Sequence, residues 1–421
     1  MENNQHKQIV LLKAQAAKEA SKKLATMSTK QKNNMLSAMA CAIEENIKEI
    51  LFHNEIDVEA AKEAGINNIL IDRLSLNEKR INDIAKSIKD IVLLQDPIGT
   101  IVEELSASID IDVKKIRVPI GVIGIIYESR PNVTVDASAL CLKAGNSVIL
   151  KGGSEAINSN RILAKMISEA AIKAGMPEGA IQFIDTTDRA AVQELIHLEN
   201  LIDLLIPRGS NDLVQFIKTH SLIPVLSHGK GLCHTYIDEN ADMDMAIKIA
   251  LNAKCQRPSV CNATETLLVH KNIAEKILPL LCKLYTEAGV EIKGCAITKN
   301  IVNNVKDATA DDWNREYLDL KISIKVVNSL EEAIEHINKY GSRHSEAIVT
   351  NSKENANKFI VEVDSAAVFV NASTRLHDGG VLGLGCEIGI STQKLHARGA
   401  MGIKELTTTK YVVRGNGAVR N

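Results

Sequence analysis

The chain has 421 residues, 45% of them hydrophobic and 24% charged, with 50 basic and 52 acidic side chains and a formal charge of −2. That length exceeds one ordinary core and predicts two domains or more, while the composition is that of a globular protein rich in aliphatic side chains. The charge balance excludes an electrostatic case for nucleic acid or an anionic membrane, and no apolar run approaches the roughly 20 residues of a membrane-spanning helix.

The first 28 residues are dotted with Lys and Glu, lack a continuous apolar stretch and contain no Arg, which argues against a secretory signal or a mitochondrial transit peptide. Residues 7–64 read as helices. Ser28 and Thr29 are good cap types for the second of them, and Gly65 ends the stretch. A third helical segment covers 74–94. The texture then changes to Ile- and Val-rich alternation, read as a strand pair or ribbon over about 99–118, followed by a buried strand in "IGVIGII".

From there strands and helices alternate. "NSVILKGG" is a strand running into a glycine loop, followed by a helix ended by Gly175, a strand "AIQFID", a helix "RAAVQELIHL", a strand "IDLLIP", a helix "SNDLVQFIKTH" and a strand "IPVLSHG". This predicts parallel pairing with right-handed crossovers. A second α/β unit begins near Leu232, with strands "CHTYID", "ETLLVH", "SIKVV", "SEAIVT" and "AAVFVN" and helices "ADMDMAIKIALNAK", "AEKILPLLCKLYTEAG" and "SLEEAIEHINKYG". The β-branched tail "ELTTTKYVVRGNGAVRN" has no neighbouring partner in sequence, and is expected to pair with the early ribbon or with another subunit.

The eight cysteines, at 41, 141, 233, 255, 261, 282, 295 and 386, include no C-x-x-C and no dense framework, so reduced thiols in a cytoplasm are the expectation. No second Cys/His cluster has ligand spacing, so no metal site is expected. In "CQRPSVCNATETLL" (255–268), Arg257 and Pro258 break the helix, which places Cys261 in a helix-to-strand connection with a basic residue nearby that favours thiolate. A buried hydrophobe is the competing reading, and it suits Cys255 better.

"VILKGGSEA" ends a strand at Lys151 and opens a helix, a natural anion cradle, although G-x-G-x-x-G is absent. "LLIPRGSNDL" repeats the device, with Gly209 allowing close backbone approach and Ser210 or Asn211 as cap. The Gly-rich segment 371–402 is long and aperiodic, as binding loops are, and carries Lys394, His396 and Arg398. As a pocket wall this cluster would suit phosphate or carboxylate; as a solvated charge run it would do nothing.

Seven segments, "IRVPIGVIGIIYESRPNVTVDA", "GNSVILKGGSEA", "AGMPEGAIQFI", "IPRGSNDL", "CQRPSVCNATETLL", "EEAIEHINKYGSRHSEAIVT" and "GLGCEIGISTQKLHARGAMGIKELTTTKYVVRG", resemble the aldehyde dehydrogenase superfamily in order from about residue 115 onwards. The resemblance is strongest to its branch that reduces gamma-glutamyl phosphate. It implies an α/β, aldehyde dehydrogenase-like fold with two Rossmann-type parallel-sheet domains plus a small β oligomerisation arm. A cofactor-binding domain would span 1–98 and 117–230, a catalytic domain 231–400, and the arm 99–116 and 401–421.

It further implies NADPH-dependent reduction of L-gamma-glutamyl 5-phosphate to L-glutamate 5-semialdehyde plus phosphate, in proline biosynthesis. Cys261 would be the nucleophile, with Lys151 on the adenosine ribose or its phosphate, Gly209 and Ser210 near the pyrophosphate, and Glu316 on the nicotinamide ribose. Three departures from ordinary members stand out. Leu226 falls where hydrolytic members carry a water-activating glutamate, which leaves the acyl group to phosphate. Ser154 falls where NAD-preferring members often carry glutamate, which favours NADP, although Glu155 is adjacent. Ala400 stands where Pro is expected.

On this reading a Cys261 thioester forms and is reduced. The Cys261 N–H and Ser129 or Asn132 are candidate oxyanion donors, each worth about 10²–10³ in rate. Arg257, Arg130, Lys394 and Arg398 are candidate anion partners, and Glu128 or Asp378 candidates for the substrate ammonium. The expected partners are the small acyl phosphate and a second copy of the chain, with glutamate 5-kinase compatible as a channelling partner. Competing readings are a hydrolytic aldehyde dehydrogenase, a non-catalytic nucleotide-binding protein, and a fragment of a kinase fusion.

Overall fold

The computed structural model describes residues 2–107, 110–227 and 229–420. The chain forms two compact units, one of Met1–Ser227, Gly383–Gly389 and Met401–Asn421, the other of His228–Leu382 and Ile390–Ala400.

The first unit opens with five helices: α1 (Glu2–Leu24), α2 (Thr29–Glu45), α3 (Ile47–Glu63), α4 (Asn68–Leu74) and α5 (Glu78–Leu93). Ser28 caps α2 in a reciprocal capping box with Gln31. In α5 the apolar residues Ile81, Ile84, Ala85, Ile88 and Ile91 recur at helical spacing, and all are buried. Lys32, on α2, is buried. It is held by Asp96 at 2.5 Å and by the Lys143 carbonyl at 3.1 Å, so the charge is paired as burial requires.

The antiparallel ribbon β1 (Ile101–Leu105) and β2 (Ile111–Pro119) follows, its intervening residues 108 and 109 lying outside the described residues. The strand Thr407–Gly415 pairs antiparallel with β2 along its whole length, from Thr407 opposite Pro119 to Gly415 opposite Ile111. The tail therefore joins the ribbon.

Strands β3 (Val122–Tyr127), β4 (Ser147–Gly152), β5 (Ile181–Phe183) and β6 (Leu204–Arg208) form a parallel sheet in the order β5-β4-β3-β6. Every residue of β3 and β4 is buried, as continuous apolar runs in a two-sided parallel sheet require. Helices α6 (Pro131–Lys143), α7 (Ile157–Lys173), α8 (Ala190–Leu195) and α9 (Asn211–His220) make the crossovers. The strand expected in "IPVLSHG" reduces to a single bridge from Val225 to Leu205, and His228 lies outside the described residues.

The second unit is a seven-stranded, wholly parallel sheet ordered β10-β9-β11-β8-β7-β12-β13. Its strands are β7 (Cys233–Ile237), β8 (Thr264–His270), β9 (Glu291–Gly294), β10 (Lys306–Asp307), β11 (Lys321–Val327), β12 (Ser345–Val349) and β13 (Ala367–Val370). Its helices are α10 (Met243–Cys255), α11 (Lys271–Glu287), α12 (Ala296–Ile301), α13 (Leu330–Tyr340) and α14 (Lys353–Glu362). One core joins α10 and α11 to β8, β9 and β11; a second joins α13 and α14 to β7 and β12. Elements α4, α6, α12, α14, β9 and β10 are not anticipated by the sequence patterns, and the order of strands in the sheet is not among the expectations.

Candidate catalytic and cofactor-binding residues

In the second unit, α10 ends at Cys255 because Pro258 cannot continue a helix, and β8 begins at Thr264. Residues 256–263 form the connection, and Cys261 is half-buried in it. Cys255 faces the core, where burial pushes its thiol up.

The adjacent strand β7 starts with Cys233, paired in register with Thr264. The Cys233 thiol is buried and burial drives it well above its ordinary range, so it serves as a donor to the Cys261 carbonyl at 3.2 Å. Gly231 packs against the same peptide. A Cβ there would lie 2.5 Å from the Cys261 Cα and closer still to its carbonyl oxygen, so only glycine fits. The Gly231 N–H donates to Glu316 Oε1 at 2.8 Å, which brings Glu316 to the cysteine loop.

Arg375, on the 3₁₀ turn Thr374–Leu376, grips the loop at both ends. Its Nε donates to Gln256 Oε1 at 2.9 Å and its Nη1 to Asn262 Oδ1. Asn262 in turn donates from Nδ2 to the His377 carbonyl at 3.0 Å. Burial, and then Arg257, hold the Arg375 guanidinium below its ordinary range, while Cys261 and Asp378 act in the opposite sense. Behind this turn Ser345 Oγ links His344 Nδ1 at 2.7 Å and His377 Nδ1 at 2.8 Å, and burial lowers His377 to about 4.

Of the basic residues singled out in the sequence, Arg257 stands exposed on the cysteine loop itself. Among the described residues no hydrogen bond or ion pair links Lys394 or Arg398 to it. Both are ion-paired to Asp364, at 2.8 and 2.7 Å, and they hold its carboxyl well below the usual range. Asp378 accepts the Gly380 and Val381 N–H groups and so shapes its own turn.

In the first unit, Lys151 lies at the carboxyl end of β4, 5% exposed, with Nζ donating to the Gly152 carbonyl at 2.7 Å. Burial lowers its ammonium, and Glu155 and Asp188 oppose that. Ser154 is exposed. Glu155 is taken up by Ser129, whose N–H and Oγ both donate to Oε1, at 2.5 and 2.9 Å. Ser129 holds a left-handed φ of 44°.

Arg130 immediately precedes α6. On its first turn Asn132 donates from Nδ2 to Asp136 Oδ2 at 2.9 Å. Asp136 also accepts from Ser87 Oγ at 3.1 Å, and burial pushes its carboxyl up. At the start of α9, Ser210 caps the helix, and Glu128 Oε2 accepts the Ser210 N–H at 2.6 Å. The Glu128 carboxylate thus covers the Gly209–Ser210 turn. Leu226 is 2% exposed, with no group able to act as a base.

A half-buried cysteine on a glycine-backed loop of one α/β unit, together with a buried lysine at a strand end in another, meets a family match over residues 4–295, to the aldehyde dehydrogenase family. The chain belongs to the aldehyde dehydrogenase family. Among the relatives of this aldehyde dehydrogenase is a gamma-glutamyl phosphate reductase of Thermodesulfovibrio yellowstonii, 55% identical over 414 residues, 98% of this chain and 99% of the relative. Another, of Halothermothrix orenii, is 51% identical over 414 residues with the same coverage.

The crystal structure of gamma-glutamyl phosphate reductase from Thermotoga maritima superimposes with a TM-score of 0.95 at 48% identity, covering 98% of this chain and 100% of that one. An acetylating aldehyde dehydrogenase from Geobacillus thermoglucosidasius shares the fold, with a TM-score of 0.73 at 19% identity and coverage of 100% and 99%. No described helix of this aldehyde dehydrogenase is long and apolar enough to cross a membrane. Among the described residues no His/Cys/Asp/Glu cluster could hold a metal.

The sequence reading did not single out Arg375, Gly231 or Asp136. Arg375 stands in the Gly-rich segment marked as a binding loop, but nothing in its local pattern separates it from Arg398.

Proposed function

We propose that this chain catalyses the NADPH-dependent reduction of L-gamma-glutamyl 5-phosphate to L-glutamate 5-semialdehyde and phosphate, through a thioester on Cys261, as a step of proline biosynthesis. The observation that carries this is identity of 51–55% along nearly the whole chain to relatives bearing that enzyme's name.

Cys261 attacks the acyl carbon, the phosphate departs with the C–O electrons, and a C–S bond takes its place. When bound, the nicotinamide cofactor would supply the hydride; at Cys261 the C–S bond of the reduced adduct then breaks and the thiolate is restored. The Cys261 N–H is a donor for the oxyanion formed in each stage, and Asn132 is assigned as a candidate donor, keeping a second amide N–H beyond the one given to Asp136. Ser129 is the weaker candidate, since its hydroxyl is turned to Glu155. With Leu226 in place of a general base, water is not activated and phosphate is the acceptor in the reverse direction.

Lys151 and Ser154 suit the adenosine ribose and a 2′-phosphate. Among the described residues no carboxylate forms an ion pair with the buried ammonium, and the acid adjacent to Ser154 is engaged by Ser129. Glu316 is assigned to the nicotinamide ribose, and Gly209 and Ser210 to the pyrophosphate, for which Glu128 must swing aside. Arg257 and Arg130 remain anion partners. Lys394 and Arg398, already paired with Asp364, shape their segment. Exposed Ile101, Val102, Leu105, Tyr411 and Val413 on the ribbon sheet favour self-association, and the enzyme is assigned to the cytoplasm.

The deciding experiment follows NADP⁺ reduction with glutamate 5-semialdehyde, with and without phosphate. Phosphate-dependent turnover supports the reading. Phosphate-independent oxidation would replace it with a hydrolytic dehydrogenase, and cofactor binding without turnover would replace it with a non-catalytic protein.

A further inference from the structure

The reaction just assigned requires an inorganic phosphate oxygen beside the Cys261 thioester in one direction and a departing phosphate in the other. We infer that Arg375 and Arg257 together form the seat of that phosphate, with Arg375 as the residue that makes the enzyme specific for phosphate as acyl acceptor. The inference rests on the acyl-phosphate reading above.

Three observations carry it. First, Arg375 is locked to both flanks of the cysteine loop. It bonds Gln256, next to Arg257, and Asn262, next to Cys261, so the plane of its guanidinium is fixed against the nucleophile's own peptide. Two of its five N–H donors serve this clamp. Second, Arg257 lies near enough to disfavour the charge of Arg375, and no carboxylate of the described residues forms an ion pair with either; Asp378 acts on Arg375 only through its field. Like charges held together are stabilised by an anion that takes hydrogen bonds from both, and guanidinium pairs suit the oxygens of phosphate. Third, of the other basic residues singled out in this unit, Lys394 and Arg398 are both bound to Asp364.

In the oxidative direction the seated phosphate attacks the thioester carbonyl. Its O–C bond forms, the C–S bond breaks with its electrons returning to sulfur, and the phosphate proton passes to solvent. The acyl phosphate and the thiolate result, and the reductive direction runs the same bonds backwards.

The test is steady-state kinetics of glutamate 5-semialdehyde oxidation by the full chain, varying phosphate, aldehyde and NADP⁺ separately. Arg375→Met should raise the phosphate KM about tenfold or more and leave the other two KM values within about twofold, with Arg375→Lys intermediate. Phosphate should also slow iodoacetamide alkylation of Cys261 in the wild type, and less so in Arg375→Met.

An unchanged phosphate KM, or a parallel change in all three constants, would overturn the assignment. Should Arg375→Met fail to fold, Arg257→Met decides instead, since Arg257 is exposed and bonded to no described residue; it should raise the phosphate KM about threefold or more, and no change would count against the seat. A wild type indifferent to phosphate would sink the acyl-phosphate reading itself, a different outcome from a phosphate-dependent enzyme blind to both arginines.

Discussion

Gly231 and Cys261 lie back to back, so close that a methyl group on the glycine would occupy the space of the cysteine's peptide. The loop bearing Cys261 is therefore seated on bare backbone. Gly231→Ala should force the loop outward, lowering kcat about 10²-fold and stability by about 1–3 kcal/mol, as overpacked sites do. Reductase kinetics and a denaturant melt check both. A fully active Gly231→Ala would mean that the loop can shift without cost.

Cys261 in the loop and Cys255 at the end of α10 should behave differently. Cys261→Ser is expected to lose on the order of 10³-fold or more in kcat, while Cys255→Ser keeps near-normal turnover, because the Cys255 thiol faces the core. Mass spectrometry of acyl-trapped protein should find the label on 261. A label on 255 would move the nucleophile.

Cofactor choice should turn on Ser154. It is exposed, and the neighbouring carboxylate is bound by Ser129, so Ser154→Glu adds a negative charge at that corner with little effect on folding. The KM for NADPH should rise about tenfold or more while that for NADH changes little. Equal effects on the two cofactors would remove position 154 from 2′-phosphate recognition.

His336 is one source of acid sensitivity. It is 4% exposed, packed edge-on to Trp313 at 5.5 Å, and its Nε2 has no partner. Burial first, then His234 and Lys325, lower it to about 3. In the unfolded chain histidine titrates near 6.5, so below that pH the unfolded state binds a proton that the folded state refuses, and stability falls as pH falls. His336→Phe should remove this contribution and flatten the slope of unfolding free energy by about 0.7 kcal/mol per pH unit at pH 6.5, rising toward about 1.4 near pH 5. Parallel wild-type and variant curves would show that His336 is protonated in the fold.

The readable parts of this chain were those where local chemistry and tertiary packing agree. The apolar runs of β3 and β4, the stripe of α5 and the helix break before Cys261 are all visible from neighbours in sequence. Helix α6 was not, because it is buried on nearly every side and so carries no polar face to mark a helical period. Strand β9, "EIKG", is too short and too polar to announce itself, and is made by its parallel neighbours β11 and β10.

Arg375 could not be singled out because its partners, Gln256 and Asn262, lie more than a hundred positions away, and only the sheet brings them to it. Lys394 and Arg398 looked equally suited to an anion until Asp364 was seen to hold them.

The strand Thr407–Gly415 bonds to β2 only after the chain has built the whole second unit. During synthesis the ribbon must therefore wait, one edge open, for a partner some three hundred positions downstream. Closing so wide a gap is slow for a loose chain, but folding of the inserted unit shortens the distance to be searched. Mutations that delay the second unit should thus surface as aggregation through the first, even though they touch none of its residues.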